Sequence, residues 1–111
     1  MDIRGKNALI TGAARRVGRA IALELARRGA GILLHYRNSE AEARTTASEI
    51  RALGSRCTLF QADLAKASEI GKMLSAVESQ SIPVDILVNS ASVYFKTPVG
   101  TVGEKERDEL I

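Results

Sequence analysis

The stretch "TGAARRVGRAIALELARRGA", residues 11–30, begins on the last residue of a short apolar run, "NALIT". Gly12 and Gly18 enclose the cation pair Arg15 and Arg16. Val17, Ile21 and Leu25 then recur at helical spacing, which predicts a helix that stops at Gly29. Arg27 and Arg28 fall in its last turn, where cations complement the helix dipole. Gly12 would turn the chain sharply off the strand and Gly18 would let the helix approach the sheet or a ligand closely, which sets unpaired helix N–H groups beside two guanidinium groups. That arrangement suits an anion held at the mouth of a helix. Taken alone it suits a basic surface loop equally well, because T-G-x5-G does not match G-x-G-x-x-G.

The same alternation continues along the chain. "KNALIT" (6–11), "AGILLHY" (30–36), "RCTLFQA" (56–62) and "VDILVN" (84–89) are apolar along most of their length, as strands covered on both faces are. Ala43, Ala47, Ile50 and Leu53 mark a second helix ending at Gly54, with Ser39 and Glu42 at capping-box spacing. Ile70, Met73 or Leu74, and Val77 mark a third. Thr101 and Glu104 repeat the capping-box spacing at the start of a fourth. Strands alternating with helices imply right-handed βαβ units. The expected fold is α/β, a Rossmann-type doubly wound parallel sheet, incomplete, in one domain over residues 1–111. No internal repeat, linker or low-complexity tract interrupts it.

Composition narrows the partners. The 111 residues carry a net charge of +3, which favours anionic ligands. Nucleic acid is not expected: there are two Tyr, two Phe and no Trp, and the arginines are spread around the first helix rather than along one stripe. The single cysteine, Cys57, lies in "CTLF" and reads as buried packing in a reducing compartment. "MDIRGK" has no apolar leader core, and no segment has the length of a membrane span. A cytoplasmic protein with a small-molecule ligand, no membrane partner and no metal site is expected.

The end of the second strand reads "LHYRNSEAEA". Dinucleotide sites that prefer NAD place an acid there to accept from the ribose hydroxyls. Here Arg37, Asn38 and Ser39 follow Tyr36 instead. One cation and two hydrogen-bond donors would receive a 2′-phosphate, with Arg16 reaching it from the neighbouring turn. NADP(H) is therefore the expected cofactor. His35, the only histidine, reads as a packed or locally hydrogen-bonded group rather than a catalyst.

With "TGAARRVG", "ADL" (62–64) and "ILVNSAS" (86–92) in view, the chain resembles the short-chain dehydrogenase/reductase family along its whole length. Thr11, Gly12 and Gly18 match the family's T-G-x-x-x-G-x-G, and Arg16 replaces its middle glycine. That replacement and "LHYRNS" are similar to the pteridine reductase branch. The resemblance implies that Gly12, Arg15, Arg16, Val17, Gly18, His35, Tyr36, Arg37, Asn38 and Ser39 border the cofactor. It also implies that Asp63 and Leu64 meet the adenine, and that Asn89, Ser90, Ala91 and Ser92 lie beside the cofactor. Ser90 and Ser92 depart from the family's N-N-A-G, and a serine at the glycine position is again similar to the pteridine reductases. Tyr94 stands where the pteridine reductases carry an aromatic against the pterin; it also reads as an ordinary loop aromatic.

The family's chemistry needs a tyrosine with a lysine four residues on. Tyr36 is followed at that distance by Glu40, and Tyr94 by Pro98. No catalytic residue is assigned. The resemblance implies the N-terminal, cofactor-binding portion of a longer, homo-oligomeric, NADPH-dependent reductase of a pterin-like substrate. A 3-oxoacyl or other carbonyl reductase is the alternative within the family, and a non-catalytic NADPH-binding module the alternative outside it. The isolated chain is expected to self-associate through an uncovered fourth strand and to lack turnover.

Overall fold

The computed structural model describes residues 2–90. The expected helix near Thr101 lies outside them, as do Ala91, Ser92 and Tyr94. In chain order the elements are β1 (Asn7–Thr11), α1 (Arg16–Arg27), β2 (Gly31–Tyr36), α2 (Glu40–Ala52), β3 (Cys57–Gln61), α3 (Ala67–Ser79) and β4 (Ile86–Asn89). The four strands form one parallel sheet in the order β3-β2-β1-β4. Ala8 sits between Ile32 of β2 and Ile86 of β4, which fixes the register at the centre.

The apolar runs form strands because both faces of the central pair are covered. Ala8, Ile10, Ile32 and Leu34 alternate toward one face, where they meet Ala22 and Ala26 of α1 and Ala43, Ala47 and Ile50 of α2. Leu9, Leu33 and Phe60 point to the other face and meet Met73 and Val77 of α3. The first two crossovers thus lie on one side of the sheet, and the third crosses the other side to reach the far edge of β1. Strand order reverses between β1 and β4, so the crevice at their carboxyl ends is where a doubly wound sheet binds its ligand.

Two expectations about the helices change, and one open alternative is resolved. The stripe of α1 that meets the sheet is Gly18, Ala22 and Ala26, small residues that let the helix approach closely. Ile21 and Leu25 only flank it, and Val17 is 67% exposed. In α3 the inward residue is Met73, while Leu74 is exposed. The capping box of α2 does not close: Ser39 occupies the N-cap without a side-chain cap bond, and Glu42 instead pairs with Arg15 at 3.1 Å.

Cys57 is buried, and desolvation pushes its thiol up to about 11. It is packing, as expected, with too little thiolate at neutral pH to serve as a nucleophile. Among the described residues, no helix is long and apolar enough to cross a membrane.

Candidate functional site

The site grows out of the last residue of β1. Thr11 is buried, and its hydroxyl donates to Asn89 Oδ1 at 2.9 Å and accepts from the Ser90 amide at 3.0 Å. Ser90 returns the contact, its hydroxyl donating to the Thr11 carbonyl. The carboxyl ends of β1 and β4 are therefore stitched together across the switch point. The serine standing where the resemblance expects asparagine makes that stitch with its short side chain.

Gly12 then turns the chain at φ +64, a left-handed conformation that glycine adopts without strain. Gly18 works differently. A Cβ there would stand 2.6 Å from Ser90 Oγ and 2.8 Å from the Gly12 carbonyl carbon, closer than any side chain fits. The first turn of α1 is thus pressed against both the glycine turn and the end of β4. Its leading amides have no intrahelical acceptor. The N-cap Arg15 makes no side-chain cap bond, and no acid lies in that turn. This is a cradle of the shape and polarity a phosphate needs.

Arg16 opens α1 at φ +54, in the region where a side chain is strained by about 1 kcal/mol or more. It is exposed and has no ion-pair partner among the described residues. Arg15, Arg16, Arg19, Glu42, Thr45 and Thr46, with Ala14, line a cavity of about 310 Å³ between the start of α1 and α2. Two of these cations are already engaged, Arg15 with Glu42 and Arg19 with Glu49. Thr46 is fully buried and donates to the Ala14 carbonyl at 3.2 Å, tying α2 to the turn.

The second crossover turn is looser. Arg37 and Asn38 are exposed, and Ser39 is partly buried. Arg37 does not line the cavity beside Arg16; its guanidinium turns the other way, toward Asp63 at 3.5 Å. The pair is exposed on the arginine side, so its contribution is small and it exchanges readily for another anion. Gln61 holds the backbone beneath by donating to the Arg37 carbonyl at 2.9 Å. The structure therefore sets Arg16 and Arg37 on adjacent turns but does not bring them into contact.

Asp63 is preorganised. Its Oδ1 accepts from the Ala65 amide at 3.0 Å, and Glu69 reaches back to accept from the Asp63 amide at 2.8 Å. Leu64 packs on the α3 side of the core. Tyr36 packs against the opposite cluster, and its carbonyl accepts from the Ala62 amide at 3.1 Å. His35 is 2% exposed and touches the site from beneath, accepting from the Gly12 amide at 2.9 Å. Its ring supports the turn and does not face the open crevice.

Sequence reading missed Thr46, Glu69 and the Thr11–Ser90 stitch. For Thr46 the available signal was a hydroxyl in the middle of an otherwise alanine-lined helix face, since a buried polar group requires a partner. Nothing in local spacing marks Glu69, whose partner lies before the helix start.

Known proteins share this fold. The short chain dehydrogenase family model matches residues 6–111. A 3-oxoacyl-acyl-carrier-protein reductase, FabG, from Staphylococcus epidermidis is 39% identical over 96% of this chain and 43% of its own length. The short-chain dehydrogenase/reductase homolog YusS of Bacillus subtilis is 37% identical over 89% of this chain and 91% of its own. Among solved structures, a dehydrogenase from Burkholderia cenocepacia with bound NADP superposes with a TM-score of 0.78 at 33% identity, over 98% of this chain and 42% of that one. The chain thus spans less than half the length of the FabG relative and of the solved dehydrogenase. Both the family match along nearly the whole sequence and the switch-point geometry give the same answer: the chain belongs to the short-chain dehydrogenase family.

Proposed function

We propose that this chain is the NADP(H)-binding part of a short-chain reductase. Arg16 carries the reading. A charged side chain stands, at a cost in backbone strain, where the turn would accept glycine without any, and it opens onto solvent beside the helix mouth. Strain kept at one residue calls for a use of that residue. The Arg37-Asn38-Ser39 run in place of an acid and the uncapped start of α2 support the same use, recognition of a 2′-phosphate. In this reading the turn shaped by Gly12 and Gly18 presents the amides of Arg16 and Val17 to the diphosphate. Arg16, Arg37, Asn38 and Ser39 hold the 2′-phosphate, with Arg15 at their flank. Arg37 leaves Asp63 when it does so, which frees that carboxylate for the adenine amino group beside Leu64. Tyr36 and His35 shape the wall behind, while Asn89 and Ser90, with Ala91 and Ser92 beyond the described residues, border the rest of the cofactor. The nicotinamide, when bound, supplies the hydride; no residue of this chain is assigned to proton transfer.

Two substrate readings stand within the family. The pterin-like one rests on Arg16, "LHYRNS", Ser92 and Tyr94. The 3-oxoacyl one is supported at least as strongly, by the FabG likeness over 96% of the chain. We further propose a cytoplasmic, homo-oligomeric parent enzyme.

Calorimetric titration of the complete gene product with NADP+ and NAD+ tests the cofactor reading. NADP+ is expected to bind about tenfold tighter or better, the effect of one charge-assisted contact. Equal affinities reject the 2′-phosphate role, and no binding of either nucleotide rejects the site. Reduction assays on the complete gene product separate the substrates. Ketoacyl turnover without pterin turnover rejects the pterin reading, and the converse rejects the 3-oxoacyl one.

A further inference from the structure

His35 is a buried polar ring at the centre of the sheet's carboxyl edge, with all of its hydrogen-bonding capacity committed. Nδ1 lies 2.9 Å from the Gly12 amide, and Nε2 lies 2.8 Å from the Ala62 carbonyl. The two neighbours leave one arrangement. A carbonyl only accepts, so Nε2 carries the proton; an amide only donates, so Nδ1 presents its lone pair. The backbone adds a third tie, because the His35 carbonyl accepts from the Ala13 amide at 3.0 Å. One residue of β2 therefore grips the glycine turn that follows β1 and the end of β3, one residue before Asp63.

We infer that His35 is a positioning residue of the dinucleotide site: its neutral ring, as the Nε2–H tautomer, draws the Gly12 amide inward and sets the phosphate turn at a fixed separation from the Asp63–Leu64 loop. A direct corollary concerns the ligand. The Gly12 amide is spent on His35, so the phosphate is held by amides further along, at the start of α1. Gly12 contributes its left-handed turn and not its donor.

This inference rests on the NADP(H) reading above, and three variants separate the two. Asparagine at this position can place an acceptor near the site of Nδ1, whereas glutamine can place a donor near the site of Nε2. Leucine fills the volume with neither. With the complete gene product and NADP+ as the probe, His35→Leu is expected to weaken binding by about tenfold, the effect of one buried hydrogen bond. His35→Asn should recover most of that loss and His35→Gln little of it. Equal affinities across the three variants, with far-UV circular dichroism unchanged, overturn the inference while leaving the cofactor reading intact. Failure of the wild type to bind NADP+ overturns both. Should the variants not fold, nitrogen-15 NMR of the wild-type ring decides: an unprotonated Nδ1 coupled to the Gly12 amide supports the inference, and a protonated Nδ1 overturns it.

Discussion

The first and second crossover turns of this sheet face the same ligand region but are built in opposite ways. Backbone and buried groups fix the turn between β1 and α1: Gly18 pressed on Gly12, Thr11 stitched to Ser90, His35 and Thr46 holding it from below and from the side. The turn between β2 and α2 instead presents exposed charge over a few backbone ties: Arg37 leans on Asp63, Gln61 donates to the Arg37 carbonyl, and the N-cap Ser39 makes no side-chain cap bond. In the proposed reading the first turn is a mould for a group that every dinucleotide shares. Charge at the second would then distinguish one dinucleotide from another, and it stays exchangeable because it is solvated.

Breaking the mould should have the largest effect. Gly18→Ala drives a methyl into Ser90 Oγ and the Gly12 backbone. A loss of roughly 3 kcal/mol in stability is expected, the upper range for overpacking against main chain, measured by urea unfolding. Adding Ser90→Ala should not restore it, because the Gly12 contact remains. A fully stable Gly18→Ala protein would mean that the two elements are not in tight contact.

The second turn should respond differently, losing discrimination and little stability. Arg37→Gln is expected to weaken NADP+ binding by about tenfold while sparing NAD+ and shifting unfolding by less than about 1 kcal/mol. Glutamine is the sharper probe than aspartate, because aspartate would set a second carboxylate against Asp63 and mix repulsion with the loss of a phosphate contact. A loss shared equally by NADP+ and NAD+ would contradict the role.

In the proposed reading Arg16 serves both turns, its backbone the first and its charge the second. Arg16→Gly relieves the left-handed strain at φ +54 and should raise stability by about 1 kcal/mol, while costing NADP+ affinity. Opposite signs in one variant are the signature of strain kept for function. Loss of stability together with affinity would refute it.

The smallest expected effect is that of acid. Burial holds His35 below its ordinary value of 6.5, and the Ala62 carbonyl only partly offsets this. The unfolded chain therefore takes up a proton first as pH falls. The contribution of the neutral ring is complete above pH 6.5 and declines as pH drops from there toward the lower folded value. Thermal unfolding of wild type against His35→Asn across this window should show the slope in the first and a flatter profile in the second. Identical slopes would remove His35 as the source.

How much of this was legible in the sequence differs between the same two turns. The strands are found to within a residue or two of their ends because apolar runs bounded by glycine and charge have few other uses. Gly12 and Gly18 were legible as a turn and a close approach, since absence of a side chain is itself a signal. The buried stripe of α1 was not, because hydrophobic periodicity favours Val17, Ile21 and Leu25 over the small residues that approach a sheet most closely. Partners distant in sequence were the other blind spot. Glu42 sits at capping-box spacing yet goes to Arg15, and Arg37 leans on Asp63 rather than toward Arg16. Local spacing cannot weigh a competitor on another element. β4 carries a related lesson. It is apolar like the others, but Leu87 is 67% exposed, so apolar content identified a strand without telling how far the described residues cover it.

Dissociation constants of NADP+ and NAD+ for the wild type, Arg16→Gly, Arg37→Gln and the double variant test the central claim most directly. If cations on the two turns share one phosphate, the NADP+ preference starts at about tenfold or more, falls in each single variant and approaches unity in the double, with the NAD+ constant nearly constant throughout. A preference that survives in the double variant, or that is absent from the wild type, would contradict the account.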